Sequence, residues 1–167
     1  MLLWSRRLLA GLNILNWITG LAIVVALGWV GFAAPDLFLA RARPYHVAHP
    51  EAAIAWLRWV TVITAPVILL THVILTRLIA IIDAARAGLP FIAANAARLR
   101  HIAWALLGIQ LLDLAFGLVS IRASAATGEY FGWSFGATGW LAVLLLFVLA
   151  RVFERGAAMQ DEIERTI

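Results

Sequence analysis

The chain contains neither cysteine nor lysine. The first absence excludes disulfides and thiolate metal sites, and leaves the redox compartment open. The second makes all thirteen basic residues arginine, which together with abundant alanine fits a GC-rich bacterial coding sequence. Charge of either sign is scarce as well, at 13% of residues against about 25% in a soluble domain. What fills the space is apolar side chain, 64% of the chain, where soluble proteins carry about 45–50%. At 167 residues the chain has the length of one domain, too small a globule to hide so much apolar surface. The surplus must face lipid. The formal charge of +4 does not point to direct nucleic-acid binding, because no basic stripe or stacking platform lies outside the apolar runs. The arginines read instead as topology signals.

Runs of about 20 apolar residues mark transmembrane helices, and four are present, at about 8–32, 54–82, 102–121 and 133–152. The expected fold is an all-α membrane protein, a single four-helix transmembrane domain over 1–167 made of two hairpins. For the first run, Arg6 and Arg7 ahead of it and the small residues of "GFA" after it raise the alternative of a cleaved signal peptide. Its apolar core is about twice the usual 7–15 residues of such a segment, which favours an uncleaved anchor. The second run, 29 residues with Pro66 near its middle, exceeds the roughly 30 Å hydrocarbon core and is expected to tilt, kink or project.

Orientation follows from the arginines near the span ends. Nine lie on one side and four, Arg41, Arg43, Arg58 and Arg122, on the other. That asymmetry places both termini and the turn at Gly88 in the cytoplasm. Trp29, Tyr45, Trp56, Trp59, Tyr130, Phe131 and Trp133 gather at the opposite ends, where amphipathic rings sit at headgroup level. The outer connections, of 21 and 11 residues, are too short for a separate domain.

Between the two hairpins stands "GLPFIAANAARLR", Gly88 to Arg100. Gly88 suits a left-handed helix end and Pro90 the first turn of the next helix. Phe91, Asn95 and Leu99 then recur at four-residue steps on one face, with Arg98 and Arg100 at headgroup level. The tail, 156–167, repeats the theme: after Gly156, Met159, Ile163 and Ile167 form an apolar stripe opposite Asp161, Glu162 and Glu164. An acidic amphipathic helix is poorly suited to anionic lipid. It suits the basic Gly88 turn of its own chain or a basic protein partner.

The stretches "GLPFIAANAARLRHI" and "LARVFERGAAMQDEIERTI" resemble the turn and the terminal pattern of a bacterial four-span inner-membrane family, domain of unknown function 2975. The resemblance covers most of the chain. It implies an inner-membrane protein, often encoded beside a small helix-turn-helix regulator, with no established activity and no catalytic residues. The ending here reads "DEIERTI" where the family's usual ending is D-N-D-L-T-V.

Polar side chains inside spans are costly and therefore informative. Gln110, Asp113 and Gly117 form a stripe in the third span, and Asn13, Asn16 and Gly20 one in the first; the second span carries Thr61, Thr64, Thr71, His72 and Thr76. The economical expectation sets these stripes face to face through interhelical hydrogen bonds. A functional alternative pairs Asp113 with His72 as a proton- or ligand-responsive couple. His46, His49 and Glu51 lack an evident fourth ligand, a bis-His haem would need His72 and His101 at equal depth, and no Ser-His-Asp set has plausible geometry. Neither metal, cofactor nor catalytic residue is expected. The leading reading is a non-enzymatic interaction or regulatory module binding a small cytoplasmic regulator. The alternative is a small transporter or efflux/immunity protein using Asp113, which with four spans would have to form a homo-oligomer.

Overall fold

The computed structural model describes residues 2–42, 49–89 and 92–166, apart from the side chains of 42, 161 and 163–166. These residues are helical almost throughout. Helix α1 (Leu2–Gly28) runs into one π-helical turn, Trp29–Ala33, and is followed by the short α2 (Pro35–Ala42). Then come α3 (Pro50–Arg86), α4 (Ala93–Thr127) and α5 (Ala137–Thr166). Among the described residues, four helices are long and apolar enough to cross a membrane, beginning at Leu2, Pro50, Ala93 and Ala137. A span in lipid must satisfy its backbone internally, and the α-helix does so residue by residue.

Three differences from the sequence reading concern helix ends. The helices extend past their apolar runs, because polar residues at headgroup level continue the i→i−4 ladder at no desolvation cost. The connection between the first two spans holds a short helix, α2, for which the sequence reading placed no element. Gly156 does not open a separate tail helix; it lies inside α5, which runs unbroken to Thr166. A helix-interior glycine costs only roughly 0.5–1 kcal/mol relative to alanine, too little to end so long a helix.

By its internal contacts the chain divides into two compact units. The first comprises Met1–Asn16, Leu70–Gln110 and Gly136–Ile167. Its buried residues are mostly small ones on α4 and α5, with Ala96, Ala103 and Ala105 facing inward on α4 and Ala150 and Ala157 on α5. Large side chains pack between these helices, as where Trp104 meets Phe147 edge-on at 5.3 Å between ring centroids. The second unit comprises Trp17–Leu69 and Leu111–Phe135. Here Gly20 lies so close to Ile68 that an added Cβ would fall 2.5 Å from Ile68 Cγ1. Gly28 faces Thr61, and the Gly31 carbonyl accepts from Arg58 Nε at 2.7 Å.

Many large aliphatic residues point the other way. Leu8, Ile18, Leu21, Leu118, Leu144 and Val148 are all exposed, while glycine, alanine and serine fill the contacts between helices. Small residues let helix backbones approach closely where lipid competes with protein for every apolar side chain. Water would not tolerate this distribution.

Candidate functional site

Among the described residues no buried side-chain nitrogen or oxygen lacks a hydrogen-bond partner. On α1, Asn13 meets His72 of α3: the imidazole Nδ1 and the amide Oδ1 lie 2.9 Å apart, both residues half-buried in the first unit. Asn16, also half-buried, lies on the same helix. Three of the threonines of α3 bond back along their own helix rather than across it, unlike the facing-stripe expectation. Thr61, Thr64 and Thr76 donate to the carbonyls of Leu57, Val60 and His72, one turn back on their own helix. A hydroxyl in an apolar helix finds the i−4 carbonyl without needing a neighbour.

The stripe on α4 serves two environments. In the first unit Gln110 covers Gly139 of α5, so closely that a Cβ on that glycine would overlap its amide. In the second, Trp133 lies over Gly117, where a Cβ would overlap the indole, and the Trp133 Nε1–H donates to Asp113 Oδ2 at 3.3 Å. Nothing in the sequence spacing pointed to Trp133 as the partner of Asp113, because Trp133 belongs to the connection before α5 and read as part of the interfacial aromatic belt.

Phe131 ties that connection down further, beside a direct link between α3 and α4. Ser120, wholly buried, accepts from Trp56 Nε1 at 3.0 Å, and Ser124 Oγ accepts from the Phe131 amide at 3.0 Å. Phe131 in turn packs on Trp56 with ring centroids 4.8 Å apart.

The turn between α3 and α4 is built as a helix stop. Gly88 has φ +80°; the Leu89 amide donates to Ala84 O and the Gly88 amide to Ala85 O. This pair of bonds is the Schellman arrangement, which needs a left-handed residue at the position after the helix. Pro90 and Phe91 lie outside the described residues. Asn95, in the first turn of α4, is completely buried and accepts from Arg98 Nη1 at 2.7 Å; the same nitrogen donates to Ala80 O of α3 at 3.1 Å. Arg98 therefore joins the last turns of α3 to the first of α4.

Two ionic clusters flank this turn; the sequence reading did not foresee the one at Asp83, while the one at Glu154 joins an acid of the terminal segment to Arg100 of the basic turn, a contact of the kind that self-docking implied. Asp83 receives Arg6 Nε at 2.9 Å and Arg86 Nη1 at 3.6 Å. Glu154 receives Arg100 Nη1 at 3.0 Å and Arg151 Nη1 at 3.4 Å. Each acid sits between two arginines, so each cluster retains a net positive charge. The side chains are about half exposed, and such pairs contribute roughly 0–1 kcal/mol each.

Met159 is exposed on α5; the Ile163 side chain and Ile167 lie outside the described residues. His49 Nδ1 contacts Glu51 at 2.9 Å, while His46 lies outside them. His101 Nδ1 donates to Ala97 O at 2.8 Å, within its own helix. No group of three potential metal-ligating side chains occurs among the described residues.

Long apolar helices, small residues between them and satisfied polar groups within them are the features of a multi-pass α-helical membrane protein. The chain belongs to the family described as protein of unknown function (DUF2975), whose model matches residues 45–167. The matched residues include α3, α4 and α5 and leave α1 and α2 outside. No curated protein and no solved structure matches the chain.

Proposed function

We infer that the protein is a non-enzymatic interaction module of the bacterial inner membrane, its spans set as two hairpins with both termini cytoplasmic, and that the end of α5 engages a small cytoplasmic regulator. The observation that carries this reading is the continuity of α5. Its 30 residues rise about 45 Å, against a hydrocarbon core of about 30 Å. The last turns therefore stand clear of the bilayer as a rigid helix. They bear Asp161, Glu162 and Glu164 against the single Arg165, a charge suited to a basic protein surface. The helix-turn-helix class that the family resemblance implies has such a surface, because neutralising phosphates requires one. Nine arginines against four support the orientation.

The test is a crosslinking pull-down from native membranes with the intact protein and with a form truncated after Arg155. A specific partner lost on truncation supports the reading; the same empty result from both forms overturns it. The cysteine-free chain also lends itself to topology mapping. Single cysteines at Ser5 and Ala87 should resist an impermeant maleimide in intact cells, and one at Ser134 should react.

The alternative, an oligomeric transporter or efflux/immunity protein with Asp113 in a proton path, is less favoured because Asp113 already has a structural task in receiving Trp133. Proton-coupled uptake into proteoliposomes that disappears in Asp113→Asn would reverse this preference.

A further inference from the structure

Between α3 and α4, within the second unit, lies an open apolar groove of about 470 Å³. Ala52, Ala55 and Trp59 line one wall, and Ala115, Val119 and Arg122 the other. Two of these residues have chemistry left over. Among the described residues the Arg122 guanidinium has no ion-pair or hydrogen-bond partner, and neither has the indole N–H of Trp59; both side chains are exposed. The neighbouring Trp56 differs, its N–H being taken by Ser120.

We propose that this groove is a binding site for an anionic phospholipid, one acyl chain lying between α3 and α4 and the headgroup phosphate paired with Arg122. Three observations agree on that occupant. The eleven residue steps from Ala52 to Ile63 along the groove rise roughly 16 Å, about half of the ~30 Å hydrocarbon core and so the depth of one leaflet. Apart from Arg122 the walls are alanine, branched aliphatic and tryptophan side chains, offering an apolar slot and no buried polar group that would demand a polar ligand. The charge stands at one end only: Arg122 lies one residue before Ala123 and faces the Ala52 end, while Ala115 and Ile63 close the other. A guanidinium is a strong phosphate donor, and an arginine near a helix end places its charge at the headgroup level. A second copy of the chain would have to bury that charge, and no acidic residue lines the groove to receive it.

The experiment is native mass spectrometry of the full-length protein in detergent, titrated separately with phosphatidylglycerol and phosphatidylcholine. Wild type should hold one phosphatidylglycerol in preference to phosphatidylcholine by roughly fivefold, the factor that about 1 kcal/mol per arginine at a lipid surface converts to. Arg122→Gln should abolish the preference. Arg77→Gln, which removes another exposed arginine of α3 outside the groove, should leave it intact. Ala115→Trp and, separately, Ala55→Leu should fill the groove and reduce binding of both lipids, each variant being checked for native helicity. The proposal is overturned if Arg122→Gln retains the preference, if Arg77→Gln loses it equally, or if correctly folded groove-filling variants bind as wild type does. It is also overturned if wild type proves to be a dimer whose contact protects Trp59.

Discussion

The indole of Trp133 is held by two residues one helical turn apart on α4: its N–H donates to Asp113 at 3.3 Å and its ring covers Gly117. A membrane carboxylate is thereby given a donor, and the connection before α5 is pinned to the helix preceding it. The spacing of four residues is what lets one flat ring serve both contacts.

Substitutions at that contact should separate acceptor from space. Asp113→Asn keeps an acceptor and should unfold thermally close to wild type. Asp113→Leu should lose the bond, worth about 0.6 kcal/mol on average in membrane helices and at most about 1.7. Gly117→Leu forces the indole away and should cost more, about 1–3 kcal/mol. Thermal unfolding in detergent followed by tryptophan fluorescence ranks the three.

For Asn13 and His72 the informative experiment is a double-mutant cycle. Asn13→Ala, His72→Ala and the double variant should reveal a favourable coupling of about 0.5–1.7 kcal/mol. Additive single effects would show that the 2.9 Å contact contributes nothing to stability.

Gly88→Ala places a side chain at φ +80°, and should cost about 1–2 kcal/mol. Gly136→Ala is the matched control: it has an ordinary backbone and open space around its Cα, so its effect should stay within about 0.5 kcal/mol. Equal melting temperatures for the two variants would contradict the helix-stop role of Gly88.

Burial, more than charge, should rank the residues around the α3–α4 turn. Asn95→Ala strips the Arg98 contact from a fully buried position and should cost about 1–3 kcal/mol. Arg6→Gln and Arg100→Gln break half-exposed pairs, and each should cost no more than about 1 kcal/mol, shrinking further as salt is raised. Denaturation at two ionic strengths distinguishes these cases.

Some of this was legible in the residues. Four apolar runs and a charge content of 13% identify a multi-pass chain, because insertion depends on hydropathy summed over about 20 residues and any neighbour of a different hydropathy is averaged in. The Gly88 helix stop was legible for a local reason: only glycine takes a positive φ without strain. Asn95 was recognisable as lying on a repeated face of α4, although not as the residue that takes Arg98.

Other features were decided by tertiary structure. In water an apolar face announces the core; in lipid a leucine is equally satisfied against an acyl chain or a neighbouring helix, so hydropathy is silent about which face packs. Whether Thr61 bonds across to another helix or back to Leu57 O, whether Asp83 meets Arg6, and which ring reaches Asp113 all depend on helix rotation and offset. Those are set by how closely residues such as Gly20 and Ile68 approach, a distance of a few ångströms that no composition or spacing encodes. The membrane class of this protein thus followed from averages along the chain, while its contacts, and the groove beside Arg122, arose only when the helices were brought together.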